Sequence, residues 1–144
     1  MKRILIPLLV IAAMILTGCE KENLELSDFA ITQSTHEYNT DWNQIIRDEF
    51  GDDYKVADWK DLEKFHEQGG DLLALFDQLG LTAIGSDVTI KYKGVKNYEA
   101  DRGYYATRHE HNKPVGYLAH DNIDNYLISL GSWSGTRKIM AIKK

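Results

Sequence analysis

Hydrophobic positions along the 144-residue chain follow four successive patterns. Met1-Lys2-Arg3 is followed by an apolar run over residues 4–16 that contains Pro7. A cationic start and about 7–15 apolar residues have the form of a secretory leader, and the run is too short for the roughly 20 residues of a membrane-spanning helix. Residues 20–39 begin charged and turn apolar near Phe29 and Ile31, so they read as a tether or, over 27–33, as a first edge strand.

Helical spacing takes over at Trp42. Trp42, Ile45, Ile46 and Phe50 share one face of an amphipathic helix that Thr40 or Asp41 can cap and Gly51 can end. After the extended stretch "DYKVAD", Asp58 suits the N-cap of a second helix, with Trp59, Leu62 and Phe65 on its inner face and a stop at Gly69-Gly70. Asp71 can cap a third helix with the stripe Leu72, Leu75, Phe76 and Leu79, and Gly80-Leu81 suits a left-handed end with its apolar contact.

The period then drops to two. Val88, Ile90 and Tyr92 alternate with Thr89, Lys91 and Lys93, and further strands are predicted over 103–111, 126–133 and the stretch "RKIMAIKK". The expected fold is therefore α+β: two or three N-terminal helices followed by a small antiparallel sheet of about four strands. The expected organisation is a leader over 1–18, a tether over 19–39 and one globular domain over 40–144.

Leu16-Thr17-Gly18-Cys19 closes the leader and resembles the lipobox of bacterial lipoproteins. The resemblance implies that the thiol of Cys19 is diacylated with chains such as palmitate and that Cys19 becomes the new N-terminus. Membrane attachment would then run through the lipid on Cys19, two or three acyl chains holding far better than one. Glu20 follows the cysteine where an Asp would favour retention in the inner membrane, so the resemblance points to the outer membrane of the cell envelope.

Composition narrows the rest. The chain carries 22 acidic against 17 basic residues, a net charge of −5, and removal of Lys2 and Arg3 with the leader makes it more acidic still. Without a basic block it is a poor partner for nucleic acid, whose phosphates need clustered Lys and Arg. Cys19 is the single cysteine, so no intrachain disulfide can form and the domain depends on its core.

Three of the five histidines fall in "RHEHNKPVGYLAH", residues 108–120. On an extended strand Tyr105, Thr107, His109 and His111 share one side, and His-x-His is a known metal-ligand spacing for zinc, copper or nickel. A metal set would be His109, His111, His120 and Asp121, with His66 or His36 as more distant donors; solvated or structural histidines are the competing reading. "HDNIDN" gathers Asp121, Asn122, Asp124 and Asn125, oxygen donors of the kind calcium prefers, but lacks the EF-hand glycine and closing Glu; a turn explains the same residues. "GSWSG" centres on Trp133 rather than Ser, so it is no nucleophile elbow, and no phosphate-binding loop occurs.

Tyr104, Tyr105, Tyr117, Tyr126 and Trp133 concentrate between 104 and 133 among polar residues, the composition of a sugar- or peptide-binding platform or of a strand core. The succession "YKVADWKDLEKF", "GGDLLAL", "GYYATRHEH", "NYLISLGSW" is similar in order to C-type-lectin-like domains of bacterial surface proteins, in which loops before the last strands bind ligand.

The first expectation is a lipid-anchored, non-enzymatic binding or structural module without a cofactor. Its surface would use Tyr105, His109, His111, His120 and Trp133 for a small-molecule, glycan or protein ligand. The second is a small hydrolase with zinc or calcium at His109, His111 and His120 and Glu110 or Asp121 as base.

Overall fold

A computed structural model describes residues 23–99, 102–116 and 119–144. The leader expected over 1–18, Cys19 and Tyr117 lie outside these residues.

The three predicted α-helices form with the predicted caps. Helix α1, Trp42–Phe50, starts where the Asp41 carboxylate accepts the Gln44 N–H at 3.1 Å, ends at Gly51, and buries Trp42 and Ile46. Helix α2, Trp59–Glu67, opens with a reciprocal box: Asp58 accepts from the backbone of the first turn, and Asp61 accepts the Asp58 N–H at 2.8 Å. Burial pushes the Asp61 carboxyl above its ordinary range, although the bond from Asp58 N–H pulls the other way. Helix α3, Leu72–Gln78, is capped by Asp71 and closes at Gly80, whose φ of 78° lets the Leu81 N–H return to the Phe76 carbonyl at 2.8 Å. Among the described residues no helix is long and apolar enough to cross a membrane.

Among the described residues ten strands follow one another as β1 Phe29–Ile31, β2 His36–Glu37, β3 Tyr54–Val56, β4 Asp87–Thr89, β5 Asn97–Glu99, β6 Arg102–Arg108, β7 Asp121–Ile123, β8 Ile128–Trp133, β9 Thr136–Arg137 and β10 Met140–Lys143. The class is α+β with antiparallel pairing, but the single four-stranded sheet expected from the pattern is three sheets, and two strands precede the first α-helix. The first sheet runs β1-β10-β3, the second pairs β2 with β9, and the third runs β4-β6-β8-β7 with β5 also on β6.

The first sheet divides the core. Met140 and Ile142 join Phe29, Trp59, Leu62, Phe65, Leu75 and Phe76 in the larger cluster. Ile139 and Ala141, pointing the other way, join Trp42, Ile46 and Val56 beneath α1. Because β10 is buried on both faces, its sequence "IMAIKK" shows an apolar run instead of alternation. The third sheet turns Val88, Ala106, Leu130, Ile128 and Ile123 toward the same larger cluster.

The fold also begins ahead of the expected boundary at residue 40. Phe29 is in the core, and the buried Thr32 bonds Ile139 twice, donating its N–H to the Ile139 carbonyl at 3.0 Å and accepting the Ile139 N–H on Oγ1 at 2.9 Å. Residues 29–31 are therefore an edge strand and not a free tether.

Candidate functional site

The register of β6 against β8 pairs Gly103 with Trp133, Tyr105 with Gly131 and Thr107 with Ser129. Alternation puts these six residues on the face of the third sheet opposite Ala106 and Leu130, where Gly103 abuts Tyr38 and Trp42 and both Thr107 and Ser129 are buried. The Tyr105 ring lies across Gly131, where a β-carbon would sit 2.8 Å from its hydroxyl end, so a side chain there would have to push the ring aside. Arg137 stacks on Tyr105 with its guanidinium 4.3 Å from the ring centre and donates from Nε to Asp87 Oδ2 at 2.8 Å. A carboxylate and a ring thus hold one cation from two sides. Trp133, diagonal to Tyr105, is 57% exposed, one of four large apolar side chains that the described residues leave at the surface.

Farther along this face, His109 Nε2 is hydrogen-bonded to Ser129 Oγ at 2.6 Å. Burial lowers the pKa of His109, favouring the neutral ring. Beside Ser129, the buried Thr107 Oγ1 has no hydrogen-bond partner among the described residues.

The expected strand over 103–111 stops at Arg108, and this separates the two histidines of His-x-His. Arg108 is drawn to Asp77 Oδ1 at 2.6 Å and to the Leu81 carbonyl at 3.0 Å, and Asn112 turns the chain at a φ of 64°. His111 therefore sits at an exposed hairpin end, with Nε2 at 3.2 Å from Asp124 Oδ1 and Nδ1 at 2.9 Å from Asn112 Nδ2. His120 bonds Ser132 Oγ at 3.0 Å through Nε2 and packs edge-on to Tyr104. Asp121 receives the Trp59 indole N–H at 3.2 Å, tying the sheet to α2. Its charge adds to partial burial in raising the pKa of nearby Glu63.

The proposed metal set is thus spread over separate partners: His109 on Ser129, His111 on Asp124, His120 on Ser132 and Asp121 on Trp59. His36 lies in β2 and His66 in the last turn of α2. Among the described residues, no group of three or more His, Cys, Asp or Glu side chains can hold a metal ion. The oxygen-rich "HDNIDN" divides between β7, which takes Asp121–Ile123, and a turn: Asp124, Asn125 and Tyr126 have φ of 52°, 51° and 67°, and the Leu127 N–H closes on the Asp124 carbonyl at 3.1 Å. Asn and Asp tolerate that left-handed backbone, which also delays β8 from the expected residue 126 to Ile128.

A second concavity escaped the sequence reading. Asn39, Asp41, Trp42 and Asn43 face Lys91, Gly94 and Lys96 across a cleft of about 380 Å³. Its far wall is the stretch "KYKGVK", read above as the end of a strand. β4 instead stops at Thr89, and Lys93 and Gly94, with φ of 53° and 78°, make a tight turn closed by reciprocal bonds between Tyr92 and Val95. The signal present was three lysines and a glycine in six residues of an acidic chain.

No family model matches the chain, and neither does any curated protein or solved structure.

Proposed function

We propose that the protein is a lipid-anchored lipoprotein of the bacterial cell envelope, on the outer membrane, acting as a non-enzymatic binding module. Its ligand surface is centred on Trp133 at the end of β8, with Tyr105 and Arg137. The observation that carries the binding reading is the pairing of the exposed Trp133 with the fixed Tyr105–Arg137–Asp87 group. An indole open to solvent covers the apolar face of a sugar ring or peptide, and the Arg137–Asp87 pair offers polar groups to its substituents. A tyrosine locked over Gly131 costs little further conformational entropy on binding. The lipobox carries the anchoring reading. His109 and His120 act as supports, bonded to Ser129 and Ser132, and the hydrolase reading gains no converging ligand set.

Two measurements test this. In cells fed a palmitate analogue, the wild type should take up label and a Cys19→Ser variant should not; equal labelling removes the anchor. On glycan and peptide arrays, Trp133→Ala should lose about ten-fold or more of any signal the wild type gives, the size of one buried aromatic contact. A signal insensitive to this change moves the binding surface elsewhere.

A further inference from the structure

We infer that the cleft between the first turn of α1 and the turn at residues 92–95 is a second binding site, specific for a small anion: a carboxylate or phosphate group on a polar molecule. It is lined by other residues than the Trp133 surface and does not depend on that reading.

Its chemistry follows from two lysines that reach the same short segment. Lys96 Nζ donates to the Thr40 carbonyl at 2.7 Å and stands 5.5 Å from the Trp42 ring centre. Lys91 Nζ donates to Asn43 Oδ1 at 3.2 Å. Both ammonium groups are therefore held along residues 40–43, each by one neutral oxygen, while an ammonium carries three donors. Neither meets a carboxylate among the described residues, in contrast to Arg108 with Asp77, Arg137 with Asp87 and Lys113 with Glu110. Asp41 lines the cleft, but one of its oxygens is occupied by the Gln44 N–H as the helix cap. In a chain with a net charge of −5, two cations brought together against neutral acceptors form a local positive centre that an anion relieves.

Size and lining fix the ligand class. About 380 Å³ lies at the small end of ligand pockets, which run from roughly 300 to 1,000 Å³, and suits a sugar acid, a sugar phosphate or a dipeptide. The amides of Asn39 and Asn43 can bond hydroxyl or peptide groups beside the charged end. The wall is tied to the start of α2, the Gly94 N–H donating to Asp58 Oδ2 at 2.7 Å.

The test is a titration of the full-length, isotope-labelled chain in a zwitterionic detergent with sodium phosphate and with sodium acetate, at constant ionic strength, followed by amide NMR shifts. Saturating shifts are expected at residues 39–43 and 91–96. The Lys91→Gln/Lys96→Gln double variant should bind about ten-fold or more weakly, as expected for loss of charge-assisted hydrogen bonds. Lys93→Gln, altering a lysine of the same turn that does not line the cleft, should bind as the wild type does. If the double variant loses amide dispersion, each single variant is read instead. Shifts that fail to saturate, that spread over the surface, or that persist undiminished in the lysine variants overturn the site. Soluble short-chain phosphatidylglycerol, with the phosphatidylcholine analogue as control, separates the sources. Tighter binding of the former than of inorganic phosphate assigns a lipid headgroup, and the reverse order assigns a free anion.

Discussion

Removing the carboxylate of Asp58 should be among the most damaging single polar changes in this fold. Asp58 is only 7% exposed. Its Oδ1 accepts the Lys60 N–H at 3.1 Å, and its Oδ2 accepts the Gly94 N–H at 2.7 Å. Asp58→Ala removes an N-cap, costing about 1 kcal/mol. It also removes the bond from the Gly94 N–H to a charged carboxylate, a type worth about 1.5–3 kcal/mol. Relief of charge repulsion offsets part of this, since Asp58 adds to the effect of burial in raising Asp61. The expected net loss is about 2–3 kcal/mol, a large share of the roughly 5–15 kcal/mol typical of a domain. Urea unfolding followed by tryptophan fluorescence measures it, Trp59 being the adjacent residue. Asp58→Asn keeps an acceptor oxygen and should recover at least half of the loss. If Asp58→Ala unfolds within about 0.5 kcal/mol of wild type, as surface changes do, or Asp58→Asn is equally damaging, the double anchoring of helix and turn is wrong.

Gly131→Ala should displace the Tyr105 ring and lower stability by about 1–3 kcal/mol through overpacking, read in the same urea assay; a neutral result would show that the ring moves aside freely. Trp133→Ala should leave the unfolding midpoint within about 0.5 kcal/mol of wild type, as an exposed side chain permits, and a larger loss would make Trp133 structural. His109 yields a pH dependence. Its folded pKa is lowered by burial, so the unfolded chain binds the proton more readily, and stability falls as pH drops below the ordinary histidine value of about 6.5. His109→Gln should flatten that decline, and an unchanged slope between pH values on either side of 6.5 would refute it. Leu130→Ala, a fully buried core truncation, should cost about 2–5 kcal/mol.

The helices were legible because each carries two agreeing local signals, an Asp cap and a 3.6-residue apolar stripe, at Asp41, Asp58 and Asp71. Strands of two residues such as β2 and β9 are too short to display a period, whereas β3 and β10 were legible as the extended stretches "DYKVAD" and "RKIMAIKK". The grouping of Tyr105, His109 and Trp133 follows from strand alternation plus register, and only the alternation is written locally. Joining His109 to His111 by the same rule failed, because the strand stops at Arg108 and Asn112 turns left-handed beyond it. The lysine cleft was out of reach for another reason: its walls meet through bonds spanning 48 and 56 residues. No local window contains both sides.

The place of β10 between β1 and β3 bears on when the chain can fold. Ile139 and Thr32 are 107 positions apart, yet the first sheet has no middle strand until they meet. Contacts this distant make for slow closure, and β1 waits unpaired while nearly all the intervening chain is produced. For a chain bearing a leader of the kind read at residues 1–18, late closure is useful. Under the export proposed above, the polypeptide would stay loose while it threads through a translocation pore, and the first sheet would close only once the β10 segment had crossed.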